Sequence, residues 1–514
     1  MESLKERFFD YFGLDEGSYR QLVAPLSFSS LPYIDENPLT KKVLSRLALA
    51  KERREKVLIY GDYDCDGVMS TSILLCAFRK FGLDAAGFLP SRYLDGYGLN
   101  VSNVLKIKEK GYSLIVTSDN GVTAHEALSK AKELGIETIV LDHHEFDSKE
   151  IETPYVLHPV LLGYGHQPIS AGFLAFLLSQ ALLKEVDPYL LTLGAVSTLS
   201  DAMPLKGENR NIVRLALDIL NKERYPEFTL LTDSAFFSEA TLQFEIVPKI
   251  NAVGRLEKEH HLNRLLPYFG RTTNNREALA KYLNDTNEKR RAIAKEAASK
   301  LEINVEEPSF SILSDIPEGL NGLLASKVLG LYQKPVAVFS KKDGTNDVLI
   351  GSIRAPEGFD VMDAFEKMSI SFLTKGGHTL AAGCSIKEND FPLFKKEFAF
   401  YALKNKFLPK KERTIPLALG EVNEKTYRFL RTFAPFGEGF KAPRFLLTGL
   451  DPKTFTYMKG GKYLSMLLGE ARILSFTISE DSFDLSEKAN LVGSFRENVF
   501  HGKRNLELLV EKAL

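Results

Sequence analysis

Acidic and imidazole side chains gather in a few short polar stretches of this sequence, at spacings that could hold a metal ion. Three aspartates alternate in Asp62-Tyr63-Asp64-Cys65-Asp66-Gly67, and Asp142-His143-His144 forms a second group. Two further aspartates, Asp119 and Asp201, each follow an apolar segment. Carboxylates this close in the chain repel one another, and such a cluster persists when a cation neutralises it. Hard oxygen ligands with one or two imidazoles suit Mn²⁺ or Mg²⁺.

The elements that must position these side chains are short apolar strands. Strands are predicted at Lys56–Tyr60, 113–117 and 138–141, and helices at 68–81 and 123–134. Strands that alternate with helices indicate a parallel α/β sheet, in which ligands gather at the carboxyl ends of the strands. Alternation along the first strand would turn Asp62, Asp64 and Asp66 to one side. A lone acidic turn is equally compatible with a solvated loop, but its recurrence favours a metal site.

The rest of the chain is predicted to form further domains, because 514 residues exceed a single hydrophobic core. The charged segment 276–301 lacks Gly and Pro, which indicates a long helix between two domains. Short apolar runs in the last hundred residues indicate a small β-barrel. With a net charge of −1, any nucleic-acid surface must be concentrated in a groove.

The cellular setting is inferred from what the composition lacks. Three cysteines without zinc spacing fit reduced thiols in a cytosol. The first residues, MESLKERFFDYFGL, do not resemble a signal peptide, and no apolar run is long enough to cross a bilayer. A cytoplasmic protein without membrane contact is therefore expected.

Eight stretches of the sequence carry a resemblance to a known superfamily. In chain order they are YGDYDCDGVMS, TSDNGVTAHEAL, VLDHHE, LGAVSTLSDAMPL, INAVGRL, GSIRAPEGFD, KGGHTLAAGCSI and FAPFGEGFKAPRF. In these residues the chain resembles the DHH phosphoesterases, and the last three stretches set it apart from the shorter members. The resemblance implies an α/β protein with a parallel-sheet DHH domain, a long connecting helix, an α/β DHHA1 domain and a C-terminal OB-like β-barrel. The expected boundaries are 1–50 for an N-terminal helical segment, then 51–268, 269–303, 304–402 and 403–514 for these four parts.

The mechanism implied by the resemblance is two-metal phosphodiester hydrolysis. The metal ligands carried over by position are Asp62, Asp64, Asp66, Asp119, His143 and Asp201, with Asp119 as the bridge between two Mn²⁺ or Mg²⁺ ions. Asp142 is expected to orient the histidine loop, and His144 to donate to the phosphate or act as a general acid. Arg255 is expected near the scissile phosphate.

Substrate contacts are also implied by the resemblance. Arg92 is expected to contact a phosphate, and a pocket for a 5′-terminal phosphate is expected from Ser352, Arg354, Gly376, Gly377 and His378. Family members usually carry a His-Pro-Gly stretch before the first helix of the second domain. Here that stretch is SDIPEG, residues 314–319, without a histidine, which puts any contact through that residue in doubt. Two predicted hairpin turns, 459–463 and 500–504, combine cations with aromatics, a combination suited to single strands.

The implied activity is a single-strand-specific 5′→3′ DNA exonuclease that releases 5′-mononucleotides in DNA repair and recombination. Single-stranded DNA is the expected partner, with a helicase and a single-strand-binding protein as further candidates. A monomer is expected, without an extra C-terminal partner-binding domain. Two alternatives stay open: a phosphodiesterase for short oligonucleotides or cyclic dinucleotides, and a non-catalytic replication scaffold of the same fold. The OB-like part argues against the first, and the complete set of acidic ligands argues against the second.

Overall fold

The structure is a computed structural model of the chain. It describes residues 3–145, 151–164, 167–345, 347–405, 413–461, 463–469, 471–484, 486–500 and 503–513. Lys462, His501 and Gly502, which belong to the two predicted C-terminal turns, lie outside the described residues. Within the described ranges, none of the helices combines the length and the apolar character that crossing a bilayer requires.

The predicted N-terminal segment consists of three helices that join two different cores. They are α1 (Leu4–Phe12), α2 (Glu16–Val23) and α3 (Pro38–Glu52). Val43 and Leu47 of α3 pack into the core of the DHH domain. Phe8 of α1 is instead fully buried in the core of the C-terminal domain, with its ring centroid 5.2 Å from that of Phe429. The two ends of the chain therefore fold together.

The DHH domain is built on a parallel sheet with strand order β2-β1-β3-β4-β5. Its strands are β1 (Lys56–Tyr60), β2 (Asp84–Phe88), β3 (Leu114–Ser118), β4 (Glu137–Leu141) and β5 (Val156–Leu157). Its remaining helices are α4 (Cys65–Phe81), α5 (Val101–Glu109), α6 (His125–Glu133), α7 (Ala171–Leu183), α8 (Pro188–Ser200), α9 (Gly207–Glu223), α10 (Pro226–Thr229), α11 (Val247–Leu256) and α12 (Leu265–Phe269). The parallel α/β sheet predicted from the sequence is confirmed.

Both faces of this sheet are covered, which explains the unbroken apolar character of its central strands. Helices α4, α7 and α8 share one core with Val57 and Ile59. Helices α5 and α6 pack on the opposite face, against Leu58 and Ile115. Strand β1 lies between β2 and β3, so the winding direction reverses beside β1. Such a reversal opens a crevice at the carboxyl ends of the strands, where ligands bind.

A long helix leads to the second domain. Helix α13 (Arg276–Ser299) occupies most of the segment predicted as the connecting helix. The DHHA1 domain then has a mixed sheet of strand order β6-β7-β8-β10-β9. Its elements are β6 (Phe310–Leu313), α14 (Asn321–Tyr332), β7 (Val336–Lys341), β8 (Val348–Arg354), α15 (Val361–Lys367), β9 (Thr374–His378), β10 (Ala381–Lys387) and α16 (Phe391–Lys404).

The C-terminal domain is a seven-stranded mixed sheet of order β11-β12-β16-β17-β15-β14-β13. Its elements are β11 (Thr414–Pro416), α17 (Glu424–Arg431), β12 (Arg444–Leu450), β13 (Tyr457–Met458), β14 (Tyr463–Leu468), β15 (Ala471–Leu474), β16 (Ala489–Phe500) and β17 (Lys503–Ala513). Strands β11 and β13 stand at the two ends of this order, and in the described part of the chain they do not pair with each other. The predicted strand-rich domain is present, without a closing ladder between these end strands.

Two arginines, one buried and one partly buried, hold the C-terminal domain against the DHH domain. Arg210 of α9 is 5% exposed and donates to the carbonyl oxygens of residues 433–435, each at 2.8 Å. Arg431 donates to both carboxylate oxygens of Glu239, at 2.7 and 2.9 Å. The bonds from Arg210 end on the FAPFGEGF stretch, so this motif docks one domain on the other.

Candidate metal centre and nucleotide-binding cleft

Two aspartates lie at the carboxyl ends of neighbouring strands. Asp62 follows β1 and is 4% exposed, and no group in the described structure donates to its Oδ1. Asp119 directly follows β3, and its backbone N–H donates to the Leu141 carbonyl at 3.0 Å. Its φ of 66° lies in the left-handed region, which only a few residue types such as Asp and Asn tolerate well. The crevice beside β1 therefore opens on two buried carboxylates.

Asp64 and Asp66 reach the same place by a route that strand alternation did not predict. Helix α4 begins at Cys65, because the Asp64 side chain caps it by accepting from the Gly67 N–H at 3.1 Å. Asp66 thus lies in the first turn of a helix. The expectation that these aspartates share a strand face is wrong, although their carboxylates still converge.

The carboxylate of Asp66 is held by a second helix. The backbone N–H groups of Ala171 and Gly172, at the start of α7, donate to it at 2.9 and 2.8 Å. The hydroxyl of Ser197 in α8 donates as well. A Cβ at Gly172 would lie 2.3 Å from the Ser197 Oγ, so only glycine permits this approach. The backbone donors of α7 favour a negative charge at Asp66.

The histidine loop after β4 completes the cluster. The His143 Nε2 lies 3.1 Å from an Asp119 oxygen and 3.6 Å from oxygens of both Asp66 and Asp201. Asp201 is the C-cap of helix α8, so it follows a helix and not a strand end. All six predicted metal ligands therefore come together.

The donor atoms fall into three overlapping groups, each with its atoms within 4.8 Å of one another. The groups are Asp62 with Asp64 and Asp119, Asp66 with His143 and Asp201, and Asp119 with His143 and His144. Asp119 belongs to the first and third groups but not to the second, and its role as a bridge between two metals stays a prediction. The third group also includes His144, which the resemblance implied as a phosphate donor.

Burial and mutual repulsion make the carboxylates costly to ionise. Burial, and then the charge of neighbouring aspartates, raises the pKa of Asp62 and of Asp119 well above the ordinary value. The same causes raise the pKa of Asp201 to about 8. Burial also lowers the pKa of His143, which favours the neutral imidazole that metals bind. Oxygen-rich donors, a buried carboxylate oxygen without a hydrogen bond and a neutral imidazole together fit a bound divalent cation.

Asp142 organises the histidine loop. It accepts from the N–H groups of Val122, His143 and His144, at 3.0, 2.7 and 3.2 Å. Its Oδ1 also lies 2.7 Å from the His144 Nδ1. Burial would lower the pKa of His144, but the hydrogen bond and the charge of Asp142 outweigh it and raise this pKa to about 9. The geometry suits the orienting role predicted for Asp142.

Arg92 and Arg255 border the metal cluster. The Arg92 guanidinium lies 4.2 Å from the centre of the Tyr63 ring. Arg255, near the end of α11, donates through Nη1 to the carbonyl of Gly319 in the DHHA1 domain at 3.1 Å. Burial, followed by repulsion from Arg92, lowers the pKa of Arg255 to about 10. Arg255 thus lies where the two domains meet.

The predicted terminal-phosphate residues lie on one face of the DHHA1 sheet. On β10, the small residue Gly383 pairs with Ser352 of β8 on one side and with Gly376 of β9 on the other. Ala381 pairs in the same way with Arg354 and His378. Paired residues in adjacent strands point to the same side of a sheet. The Arg354 Nη1 donates to the Ser352 Oγ at 3.2 Å, so these two side chains lie together on one face of the sheet.

Helix α14 packs on this face of the sheet. A Cβ at Gly322 would come within 2.8 Å of the Arg354 Nη2 and 3.0 Å of the Ser352 Oγ. Residues 374–378, which include Gly376, Gly377 and His378, are exposed. The sheet face therefore offers an arginine, a hydroxyl and an imidazole beside small residues that leave room for a ligand.

Supporting residues were not singled out from the sequence. Asn251 accepts from the N–H of Cys65 at 2.8 Å, which ties α11 to the start of α4. The side-chain amide of Asn120 donates to the carbonyls of Tyr60 and Gly61 at 3.3 and 3.1 Å and so joins the β3 loop to the β1 loop. Asn120, Ser197 and Asn251 all lie inside the stretches that carry the family resemblance. That position was the sequence feature that could have indicated their supporting role.

Three family models match the chain in succession. They are the DHH family N-terminal domain over residues 56–198, the DHHA1 domain over 311–402 and the RecJ OB domain over 415–512. A doubly wound parallel sheet with Asp and His at its strand ends, followed by a DHHA1 domain, defines a protein of the DHH superfamily.

Known relatives identify the family within that class. The chain is 30% identical to the single-stranded-DNA-specific exonuclease RecJ of Bacillus subtilis over 77% of its length, but spans only about half (52%) of that protein. It is 29% identical to the Thermus thermophilus RecJ, over 90% of this chain and 69% of that protein. The crystal structure of the T. thermophilus RecJ in complex with Mn²⁺ matches with a TM-score of 0.83 and 25% identity, over 99% of this chain and 76% of that one. The chain belongs to the RecJ family.

Proposed function

We propose that this chain is a metal-dependent exonuclease that degrades single-stranded DNA from its 5′ end and releases 5′-mononucleotides. The observation that carries the proposal is that Arg255 links the two domains that hold two candidate binding groups. One group is the cluster of carboxylates and His143 in the DHH domain. The other is the Ser352 and Arg354 face of the DHHA1 sheet, and Arg255 donates to Gly319 of that domain. The curated relatives named above are single-stranded-DNA-specific exonucleases.

The metal cluster would hold two Mn²⁺ or Mg²⁺ ions. Asp62, Asp64 and Asp119 form one ligand group, and Asp66, His143 and Asp201 form the other. When bound, such ions activate water as a nucleophile and neutralise the charge that develops on an attacked phosphate. The α7 backbone donors and Ser197 keep Asp66 in its ligating position.

His144 and Asp142 would act on the substrate side of this centre. The Nδ1 of His144 lies 2.7 Å from Asp142, and its Nε2, which would face the substrate, lies 3.3 Å from the Tyr97 hydroxyl. The imidazole side chain is 44% exposed, compared with 8% for His143. His144 therefore offers a positioned donor to a phosphate oxygen, while Asp142 fixes its orientation.

The DHHA1 pocket would select the 5′ end. A terminal phosphate carries more negative charge than an internal diester, and a guanidinium fork with nearby hydroxyl and imidazole donors suits it. Arg354, Ser352 and His378 offer these groups on one sheet face. A pocket that captures the terminal phosphate beside the metal centre would place the cleavage after the 5′-terminal nucleotide.

The C-terminal domain would guide the rest of the strand. Phe476 is 53% exposed, and the Arg496 guanidinium lies 5.8 Å from the centre of its ring. The Tyr463 ring lies 5.8 Å from Phe476, and Lys459 5.7 Å from Tyr463. Exposed aromatics flanked by cations hold single strands without sequence preference. A helicase or single-strand-binding partner, a monomeric state and a cytoplasmic location stay predictions.

The test is degradation of a labelled 30-nucleotide strand by the purified full chain with Mn²⁺, with Mg²⁺ and with EDTA. Strands carrying a 5′-phosphate, a 5′-hydroxyl, a blocked 5′ end or a blocked 3′ end are compared, with an RNA strand in parallel. The proposal expects 5′-mononucleotides from the 5′-phosphorylated strand, loss of cleavage when the 5′ end is blocked, and no activity in EDTA.

Three results would overturn the proposal. Release from the 3′ end alone would reverse the polarity assigned to the pocket. Hydrolysis of dinucleotides or cyclic dinucleotides, with long DNA spared, would favour the small-substrate phosphodiesterase. Tight binding of single-stranded DNA without cleavage under any metal would favour the non-catalytic scaffold.

A further inference from the structure

Four arginines from four separate elements approach the cleft between the DHH and DHHA1 domains. Arg92 follows β2, Arg255 is the penultimate residue of α11, Arg290 lies on the connecting helix α13, and Arg354 ends β8. We call these four residues the arginine row. Arg255 is central. Burial, and then the charges of Arg92, Arg290 and Arg354, lower its pKa, while the charge of Asp64 raises it. Its Nη1 also bonds to Gly319, so the row spans both domains.

No member of the arginine row forms an ion pair with Asp or Glu within the part of the chain that the structure describes. Arg354 donates to the Ser352 hydroxyl and the Ile353 carbonyl, and Arg255 to a carbonyl. The Nε of Arg92 is buried without an acceptor. Elsewhere in the described residues, Arg46 and Arg431 have carboxylate partners, whereas Arg210 and Arg214 donate to backbone carbonyls. Like charges gathered at partial burial repel one another unless an anion joins them.

Arg290 is the member of the row that no sequence motif indicated. It lies on α13, which packs along α11. Its Nε donates to the side chain of Asn287, one turn earlier, at 2.9 Å. Asn287 is 6% exposed, so it fixes the guanidinium from the buried side of the helix. The two terminal nitrogens of Arg290 bond to no other group in the described residues and remain for a ligand.

We propose that Arg290 binds a non-scissile phosphate of the DNA strand in this cleft and positions the 5′-terminal nucleotides between the metal centre and the Arg354 pocket. The inference rests on the proposed function and adds the connecting helix to its binding surface. A guanidinium contacts a phosphate through two parallel N–H donors, which a lysine or glutamine cannot reproduce. A contact that is equally strong in the ground state and in the transition state contributes to binding and leaves the chemical step unchanged, which is the role assigned to Arg290.

The neighbouring residue provides a matched control. Arg291 is on the same helix but exposed, and Arg291→Gln removes the same charge as Arg290→Gln. Affinity for a 5′-phosphorylated 12-nucleotide strand is measured by fluorescence anisotropy in EDTA, over a range of salt concentrations. We expect Arg290→Gln to weaken binding about 10-fold and to reduce the slope of log K against log salt by about 0.7. Arg291→Gln should stay within about twofold of the wild type, and Arg290→Lys should restore part of the slope.

Kinetics then separate positioning from a structural effect. With Mn²⁺, Arg290→Gln should raise KM about 10-fold and leave kcat within about threefold. Equal affinity and salt slope for the Arg290 and Arg291 variants, at unchanged melting temperature, would overturn the proposal, as would a fall in kcat alone. The binding measurement does not require cleavage. A wild-type chain that binds DNA but never cuts it would therefore refute the proposed function and still leave Arg290 testable.

Discussion

Asp119→Asn is the sharpest test of the metal centre, because it changes a charge and almost nothing else. Asn tolerates the left-handed backbone at this position, and its side-chain oxygen can still face the His143 Nε2, which lies 3.1 Å from the carboxylate. Asp119 belongs to two of the three ligand groups. Without metal, the substitution should leave stability unchanged or raise it, because it removes one charge from a buried, mutually repelling cluster.

The expected loss of metal-induced stability can be worked out from linkage. An ion present at 100 times its dissociation constant stabilises the folded protein by about 2.7 kcal/mol. For a domain of about 200 residues this corresponds to a rise in Tm of roughly 5–10 °C. Asp119→Asn should lose most of that rise. Cleavage should fall at least about 100-fold, because the centre contributes several kcal/mol to the transition state.

The assay is thermal unfolding with and without Mn²⁺, followed by cleavage of the 5′-phosphorylated strand. Asp84→Asn is the control, since Asp84 is exposed at the start of β2 and its replacement also removes one negative charge. It should behave as the wild type does. The reasoning is refuted if Asp119→Asn keeps the full metal-induced rise in Tm, keeps cleavage within tenfold of wild type, or loses more than about 2 kcal/mol of stability without metal.

The other predictions concern the pocket, the histidine loop and the domain contact. Arg354→Gln should raise KM about 10-fold for a 5′-phosphorylated strand but hardly change it for a 5′-hydroxyl strand, and equal effects on both would contradict the pocket. Asp142→Asn should lower kcat about 10- to 100-fold by releasing His144, with the Mn²⁺-induced rise in Tm retained; an unchanged kcat would refute the orienting role. Glu239→Gln and Arg431→Gln should each weaken domain docking by about 2–3 kcal/mol in urea unfolding, whereas the exchanged pair Glu239→Arg with Arg431→Glu should recover part of the loss. Equal unfolding curves for the single and exchanged variants would show that the ion pair contributes nothing specific.

The local pattern of apolar residues was sufficient to predict the bounds of strands whose apolar residues are contiguous. Strand Lys56–Tyr60 has the predicted bounds, and the strands predicted at 113–117 and 138–141 lie within one residue of β3 and β4. Strand β2 was missed, because Asp84-Ala85-Ala86-Gly87-Phe88 contains no β-branched residue. It is a strand because it pairs with β1, which is a property of the sheet and not of the segment.

The sequence by itself determined the chemistry of Asp62–Gly67: the types of ligand, their recurrence after apolar segments and hence the class of metal they suit. Periodicity and breaks, which are local properties, also indicated where the chain changes character, whereas the identity of the domains came from the resemblance. Only the tertiary structure decided which ligands share a site. Asp66 reaches the centre from the first turn of a helix, Asp201 from the end of another, and Phe8 joins the core of a domain more than 400 residues away. The arginine row likewise exists only where four elements meet. Such contacts depend on the packing of distant segments, and the periodicity of a single segment does not encode which partner it will bury.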